Sequence, residues 1–530
     1  MTTLTPYRST GQEGGDGFGR LLHAEWTKFR TVRGWVIGVI VAVLLTAGLG
    51  ALLAKAASPQ CAVQTSNGQQ HAIACGQPNY TVGPGGTLVQ DAFNWVRQPL
   101  AGNGALTVRV ASLAATVGAG PNAPQPVVAP WSKAGIIISD GTSQGSAYAA
   151  MMVTGGNGVR MQWNYTGDTP GLAGTVSAAS PRWLRLTRDG DTITGYDSAD
   201  GAQWTQVGTV TLAGLPSTVQ AGLFVTSPVY STYSSSSIGS GSGSSRGTEA
   251  TATLDHVSRT GRWPASTWTA DYVGADRIGG ASGLSGYREV DGRFTMTGSG
   301  DIAPLIAGAL NDGPNITVRD YLLGIFIGLI AMAVIAAMFM TTEYRRGLIR
   351  TTLAATPNRL RVLAAKAIVI GAVAFAVGLA AAAGAVLIGT HVARSEGVDL
   401  YPEPWPTELR IIVGMAALFA VAAVLTLAVA TVVRRSAAAI IIVIVTLVIP
   451  FVLSAPPGIP AGLTGWLLRV TPAAAFALQQ PAPQYYQVAA NYSTGSGYFP
   501  LAPWTGFAVL CGWTAVALAL AAYLLRRRDA

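Results

Sequence analysis

Six long apolar blocks constrain this chain more than any other feature of its sequence. They occupy residues 34–54, 321–340, 367–389, 411–433, 437–454 and 503–525, and none of them contains a charged side chain. A helix of about twenty residues is long enough to cross a hydrocarbon core about 30 Å thick. The sequence therefore predicts an α-helical polytopic membrane protein with six transmembrane helices. The first block also fits a signal peptide, but it is longer than the usual apolar core of about 7 to 15 residues.

Composition and motifs argue against several classes of function. Charged residues make up 11% of the chain, whereas about 25% is typical of a soluble protein. The blocks contain no acidic residue or histidine of the kind that ion-coupled carriers use, and the chain has no Gly-x-x-x-x-Gly-Lys-[Ser/Thr] loop for ATP. The histidines and cysteines lack the spacing of a metal site. We therefore expect no catalytic residue, metal or cofactor in this chain, and no nucleic-acid partner.

The distribution of Arg and Lys predicts the orientation of the blocks. Basic residues cluster before the first block, between the second and third, between the fourth and fifth, and after the sixth, whereas the connections 391–410 and 455–502 contain few. Because basic connections stay in the cytoplasm, both termini are predicted to be cytoplasmic and residues 56–319 extracellular. Cys61 and Cys75 would then lie in an oxidising compartment, and the short loop between them favours a disulfide.

Residues 56–319 have the pattern of a large all-β sandwich inserted between helices 1 and 2, with its core at about 90–300. Short runs of alternating apolar residues are separated by turn-forming residues, as in antiparallel sheets. Trp95, Trp131, Trp163, Trp183 and Trp204 are expected to pack in its core rather than to bind sugars. Predicted strands cover 135–139, 147–153, 159–165, 183–188, 192–198, 204–210 and 219–225, and a strand at 293–297 would close the sandwich.

Three segments of this insert resemble concanavalin-like or laminin-G-like sandwiches. They are AGIIISD at 134–140, WLRLTRDGD at 183–191 and YDSADGAQW at 196–204. The resemblance implies a jelly-roll-like fold. Because relatives of that fold often bind carbohydrate, it also adds an envelope glycan as a candidate partner by analogy.

The segment before the first block has the pattern of an amphipathic helix lying on the membrane surface. Apolar residues recur at helical spacing between Phe18 and Phe29, with basic residues among them. Glu25, Trp26 and Lys28 fall within this predicted interfacial helix.

The connection between the second and third blocks is basic and contains helix-ending and helix-starting signals. Gly347 is expected to turn the chain after the second block. Thr356 and Pro357 suit the cap and the first position of the next helix. That helix would be too long for the membrane alone, so part of it is expected to extend into the cytoplasm.

Together these features resemble the membrane subunits of type-2 ABC transporters, over about 17–55 and 320–530. In that family the helix before the first span carries a Glu-x-x-Lys element, matched here by Glu25 and Lys28. A basic coupling segment follows the second span, and the resemblance implies that it receives the motion of a separate ATP-binding subunit. The residues that match its pattern are Glu343, Arg346, Gly347, Thr352, Leu353, Pro357, Arg359 and Lys366.

The sequence thus predicts successive regions with distinct roles. These are a cytoplasmic N-terminus with the interfacial helix at 1–33, transmembrane helix 1 at 34–55, the extracellular β-sandwich at 56–319, transmembrane helix 2 at 320–341, the cytoplasmic coupling segment at 342–366, and transmembrane helices 3–6 with their outer loops at 367–530.

The leading hypothesis is a permease subunit of an ATP-driven ABC transporter, an exporter, in a bacterial plasma membrane. It would form the pathway as a homodimer or with a related permease subunit, and separate subunits would bind ATP and Mg²⁺. The alternative is a membrane-anchored envelope sensor or glycan-binding protein, whose helices only anchor and signal. A neighbouring gene for a lone ATPase would favour the first hypothesis.

Overall fold

The computed structural model divides the chain into two compact units. The helical unit comprises Met1–Gly76, Ile316–Ala482 and Ser493–Ala530, and the β unit comprises Gln77–Asn315 and Pro483–Tyr492. The structure describes residues 17–56, 63–66, 69–72, 81–118, 125–237, 240–274, 286–306, 317–345, 347, 358–396, 398, 400–454, 461–481, 483–491 and 497–528.

Within these described residues, six helices are long and apolar enough to cross a membrane. We name them spans one to six: Arg33–Ala56, Val318–Arg345, Arg359–Ser395, Trp405–Val433, Ser436–Ser454 and Pro503–Arg527. A 14-residue helix, Phe18–Thr31, precedes span one and is named the N-terminal helix. Shorter helical segments lie at Ala461–Val470, Pro472–Gln479 and Tyr486–Asn491. The six predicted spans are confirmed.

Spans two, three and four form the core of the helical unit, because small residues allow their backbones to approach closely. Gly328 of span two and Gly378 of span three both pack against Phe419 of span four. A Cβ added to Gly328 would lie 3.0 Å from Phe419 Cζ, and a Cβ added to Gly378 would lie 2.9 Å from Phe419 Cβ. Close approach of this kind drives helix association where lipid replaces water. Spans one, five and six are much less buried within this chain.

Span five is irregular because it contains a proline. Its α-helix is interrupted by a π-helical turn, Ile444–Val448, directly before Ile449 and Pro450. Proline has no N–H to donate and its ring crowds the carbonyl four residues earlier. The wider π turn accommodates that ring, and the Ile449 N–H bonds the Ile444 carbonyl instead.

Span three begins later than the sequence predicts. Asn358 is its N-cap and accepts a hydrogen bond from the Arg361 N–H at 3.2 Å, so the helix starts at Arg359. Thr356 and Pro357, the predicted cap and first residue, lie outside the described residues, and Asn358 caps at least as well as threonine. The helix runs for 37 residues, about 55 Å, and therefore exceeds the membrane thickness as expected.

The strands of the structure are numbered in chain order. β1 and β2 form a hairpin before the β unit and the others belong to it: β1 Val63–Ser66, β2 Gln69–Ala72, β3 Thr81–Val82, β4 Leu88–Asp91, β5 Phe93–Val117, β6 Gln125–Pro126, β7 Lys133–Ser139, β8 Tyr148–Thr154, β9 Val159–Trp163, β10 Gly167–Pro170, β11 Arg182–Asp189, β12 Thr192–Ser198, β13 Thr205–Thr211, β14 Thr218–Thr226, β15 Tyr230–Ser237, β16 Ser240–Arg246, β17 Thr248–Arg262, β18 Thr269–Val273, β19 Tyr287–Val290, β20 Arg293–Gly298 and β21 Ile302–Pro304.

The 25-residue strand β5 organises the large antiparallel sheet of the β unit. Its first part pairs with β14 and β18, and its later part pairs with β11 and β17. Gly102, at φ +71°, lies where β5 changes partners. At Gly104 a Cβ would lie 2.5 Å from the Thr260 carbonyl oxygen of β17. Glycine therefore lets one strand continue through a bend that side chains would block.

The strands predicted from alternation are confirmed. β7, β8, β9, β11, β12, β13 and β14 overlap the seven predicted ones, and β20 pairs with β17 where a closing strand was expected. Of the five tryptophans assigned to the core, Trp95 and Trp131 are buried and the other three are half-buried. The jelly-roll topology and the likeness to concanavalin or laminin-G sandwiches stay predictions.

Two buried acidic groups fix loops against this sheet. Asp301 accepts a hydrogen bond at 2.6 Å from Lys133, whose side chain is fully buried. Asp91 accepts hydrogen bonds from the Tyr165 hydroxyl at 2.7 Å and from the Gly145 N–H at 2.9 Å. Burial raises the pKa of Asp91 to about 6, although both hydrogen bonds oppose the rise.

We expect Asp91→Asn to stabilise the protein at neutral pH but not in acid. The folded state raises this pKa, so the stability that Asp91 contributes is complete below about pH 4 and is lost as the pH rises through 6. Asparagine still accepts both hydrogen bonds, and its advantage should reach at most about 3 kcal/mol above pH 7. Thermal unfolding of the purified chain at pH 4.5 and 7.5 measures it. Asp291→Asn, at an exposed turn, is the control; an equal effect of Asp91→Asn at both pH values would contradict the prediction.

Candidate functional site

Two glutamates and two lysines meet where the N-terminal helix, the end of span two and the start of span three come together. Lys366 Nζ lies 2.7 Å from Glu25 Oε2 and 2.7 Å from Glu343 Oε1. Lys28 Nζ lies 2.8 Å from Glu25 Oε1 and 3.1 Å from Glu343 Oε1. Each lysine therefore bridges both glutamates, and we name these four residues the charge cluster.

Burial makes the members of the charge cluster depend on one another. The side chains of Glu25 and Lys366 are fully buried, and Glu343 is 7% exposed. A buried charge is costly unless it is paired, and here two positive and two negative charges cancel. Burial lowers the pKa of Lys28, but its hydrogen bonds and attraction to Glu25 and Glu343 outweigh burial and raise that pKa above its usual value. Lys28 therefore stays protonated.

Aromatic rings cover the charge cluster and dock the N-terminal helix. Phe29 is buried, with its ring centroid 6.1 Å from that of Phe339 in span two. Trp35 of span one meets the same ring edge-on at 5.4 Å. Lys366 Nζ lies 4.7 Å above the Phe339 ring, a favourable cation–π distance. Phe339 thus covers the fully buried Lys366, whereas Lys28 stays partly exposed.

Gly347 follows span two in the left-handed conformation. Its φ is +67°, and its N–H donates to the Tyr344 carbonyl at 3.3 Å. Glycine adopts this conformation without steric cost and is the common residue after a helix end. The predicted turn at Gly347 is confirmed.

Arg359 connects the start of span three with the end of span six. Its Nη1 donates to the Leu525 carbonyl at 2.7 Å and to the Arg526 carbonyl at 3.5 Å. The last carbonyls of a helix have no partner within the helix, and a cation there is stabilising. Arg359 thus connects spans three and six next to the predicted coupling segment.

The structure brings together four of the residues named from the sequence, Glu25, Lys28, Glu343 and Lys366, and leaves others apart. All four belong to the charge cluster, whereas Trp26 is 45% exposed. Four residues of the predicted coupling segment lie outside the described part of the chain, so their roles stay predictions: Arg346, Thr352, Leu353 and Pro357. The predicted disulfide between Cys61 and Cys75 lies outside it as well.

The sequence did not reveal that Lys366 pairs with both glutamates of the charge cluster. Lys366 was included only as one more basic residue of the coupling pattern, yet it is the most buried cation of the charge cluster. Two signals pointed to it: the chain contains only four lysines, and Lys366 is surrounded by alanine, valine and isoleucine. A lone lysine in an apolar helical stretch needs acidic partners.

The β unit contains an open polar cavity of about 460 Å³. Of the residues that line it, Arg109 binds Asp255 through Nε and Nη2, both at 2.7 Å, and these hydrogen bonds lower the pKa of Asp255. His256 Nδ1 lies 3.0 Å from Asp255 Oδ1, at a backbone φ of +52°. Trp268 and Arg293 also line it. Among the described residues, no group of His, Cys, Asp and Glu is placed to hold a metal ion.

Comparison with known proteins gives one strong match. The family model described as "ABC-2 family transporter protein" matches residues 21–530. No curated protein matches the chain.

Solved structures match only parts of the chain, and weakly. A functionally unknown protein from Saccharomyces cerevisiae is 13% identical over 34% of this chain and 82% of its own, with a TM-score of 0.21. The GH43 protein BlXynB from Bacillus licheniformis is 16% identical over 30% of this chain and 28% of its own, with a TM-score of 0.19. Scytalido-glutamic peptidase is 12% identical over 39% of this chain and 98% of its own, with a TM-score of 0.24. Scores this low assign neither a fold nor a function.

We expect Lys366→Met to destabilise the helical unit by about 3–5 kcal/mol, because it leaves two buried glutamates with one lysine. The double variant Lys366→Met/Glu343→Gln should recover part of this loss, since a neutral Glu25–Lys28 pair remains. Lys55→Met, at an exposed lysine of span one, is the matched control. Unfolding of the purified chain in detergent measures all three variants. Equal stability of Lys366→Met and Lys55→Met would contradict the prediction.

Proposed function

Because this chain belongs to the ABC-2 family of transporter proteins, we propose that it is the permease subunit of an ATP-driven exporter. Family membership implies association with an ATP-binding subunit, and six apolar helices support a multi-pass membrane protein. Under this proposal the partner binds ATP and Mg²⁺, while this chain catalyses no reaction and binds no cofactor. The observation that carries the proposal is the charge cluster.

The charge cluster supports a coupling role because it joins the elements on both sides of residues 346–358. Glu343 lies in the last turn of span two, and Lys366 lies in the third turn of span three. Lys366 pairs with Glu343 and also with Glu25 of the N-terminal helix. A displacement of the segment between them would therefore move the N-terminal helix and two core spans together. This is the mechanical property that a subunit driven from outside the membrane requires.

The exposed faces of the less buried spans support a dimeric pathway. Leu44 of span one, Ile441 of span five and Val516 of span six are 65%, 60% and 64% exposed within the single chain. Lipid can cover such faces, and so can another permease subunit. We propose that a second copy or a related subunit covers part of them. Cross-linking in native membranes would test this, and an exclusively monomeric permease would contradict it.

We place this protein in a bacterial plasma membrane, with both termini in the cytoplasm and the β unit outside. The basic residues before span one and after spans two, four and six support this orientation.

For the orientation, we expect Ala202→Cys in the β unit to react with a membrane-impermeant maleimide in intact cells. Ala202 is exposed. Thr352→Cys, in the coupling segment, should react only after the cells are permeabilised. The parent chain corrects for labelling of its own cysteines. The reverse pattern of labelling would show that the orientation is wrong.

For the coupling role, we expect Gly347→Val to weaken binding of the ATP-binding subunit about tenfold. A β-branched residue at φ +67° costs about 1–2 kcal/mol and would redirect the segment that follows. Arg346→Glu should weaken binding through charge reversal. Gly462→Val is the matched control, because an added Cβ there meets no other atom within 4 Å. Co-purification and ATPase assays measure the effect, and unchanged values for both variants would reduce this segment to an orientation signal.

The polar cavity of the β unit favours a second candidate function, the binding of an envelope glycan. Its Arg109–Asp255–His256 network offers hydrogen bonds to hydroxyl groups, and the half-buried Trp268 offers an apolar face. A binding domain of this kind is compatible with the permease and is the main element of the envelope-sensor alternative.

We expect Trp268→Ala to weaken binding of purified envelope polysaccharide fragments to the full-length protein. Trp204→Ala is the control, since Trp204 packs under Arg185, with a ring centroid 3.9 Å from Cζ, and does not line this cavity. Calorimetry measures the affinity. No binding by the unmodified protein, or equal binding by the two variants, would exclude this cavity as a glycan site.

A further inference from the structure

A short segment between spans five and six belongs to the β unit rather than to the helices that flank it in the sequence. The β unit includes Pro483–Tyr492, and we name its described residues, 483–491, the strap. Gln487 and Val488 of the strap are 2% and 7% exposed. A polar connecting loop would normally stay in water, so this burial needs a specific cause.

Tyr486 and an arginine of the sheet provide part of that cause. The Tyr486 ring packs edge-on against Trp131 with centroids 5.5 Å apart. The guanidinium of Arg160 lies 5.0 Å from the Tyr486 ring centroid and 5.7 Å from that of Trp131, within cation–π range of both. The Tyr486 hydroxyl donates to Asn157 Oδ1 at 3.3 Å. Tyr486 thus contacts three residues of the β unit, Trp131, Arg160 and Asn157, while it stays partly exposed.

The neighbouring residue, Gln487, binds a backbone carbonyl in the turn between β9 and β10. The Gln487 side-chain amide donates to the Tyr165 carbonyl, and the Tyr165 hydroxyl donates in turn to buried Asp91. Arg160 is itself held by Asp168. The strap therefore contacts side chains that other interactions already fix, which makes it a preorganised attachment rather than a loose contact.

Residues 492–502 link the strap to span six, and both the first half and the last turn of span six are held within the helical unit. Trp513 Nε1 donates to the Val470 carbonyl at 2.9 Å, and a Cβ on Gly506 would lie 2.1 Å from the Ala474 carbonyl oxygen. At the other end, Arg359 binds the carbonyls of the last turn. The helix that leaves the strap thus ends beside the first residue of span three.

We propose that the strap makes the β unit a regulator of the ATP-driven cycle, with span six as the connecting element. This inference rests on the proposed permease function. A change at the coupling segment would reach the strap through Arg359 and span six, and a change in the β unit would travel the opposite way. Such coupling is reciprocal, so the nucleotide state of the ATP-binding subunit must alter the attachment of the strap.

Hydrogen–deuterium exchange of the complete complex in lipid nanodiscs tests this directly. The complex is compared without nucleotide and with MgATP plus vanadate. We expect exchange at residues 483–491 to change at least about fivefold between the two states. Tyr486 is 57% exposed, so its replacement should leave the fold intact. In Tyr486→Ala and in Tyr486→Ala/Gln487→Ala, this dependence should be lost while peptides of 343–366 still respond. Pro483→Ala, at an exposed residue of the strap, should behave as the parent protein.

The outcomes separate the two proposals. A nucleotide response at 343–366 without any response in the strap would overturn the regulatory role and leave the permease function standing. A response in the strap that persists in Tyr486→Ala and in the double variant would also overturn it. No response at 343–366 would overturn the permease function and, with it, this inference.

Discussion

The assembly of the helical unit depends on pairing three buried charges with a fourth that is partly exposed. Lys366 is fully buried between Glu25 and Glu343, and Lys28 completes the set from the more exposed side. Desolvation costs several kcal/mol per ion, roughly, so no member can be buried without its partners. The N-terminal helix has to stay docked for spans two and three to keep their charges satisfied. Packing of small residues brings the spans close, and the charge cluster fixes which surfaces meet.

The β unit uses the same device where its loops have to be held. Lys133 is fully buried and binds both Asp301 and the Ile302 carbonyl, which positions β21 against the sheet. Asp91 is buried against the Tyr165 hydroxyl. Apolar packing supplies most of the stability of a sheet but is not directional. Paired polar groups add direction, because each has to find its partner when water is removed.

Periodic features of the sequence were predictable, and isolated ones were not. Apolar blocks without charge revealed the six spans, and alternation revealed strands such as β12, predicted and found at 192–198. The long strand β5 was missed because Pro99, Gly102 and Gly104 resemble turn signals. In the structure these residues lie inside the strand, where it bends and changes partners.

The sequence by itself determined the number of spans, the β character of the insert and the turn at Gly347, because hydropathy, alternation and backbone preference are local properties. The tertiary structure alone decided that Lys366 pairs with Glu25, 341 residues away. It also decided that Arg359 binds the end of span six and that the strap packs in the β unit. The helix preference of a basic residue does not depend on its partner. A buried charge, in contrast, needs an oppositely charged partner, and only the folded chain determines which partner is within reach.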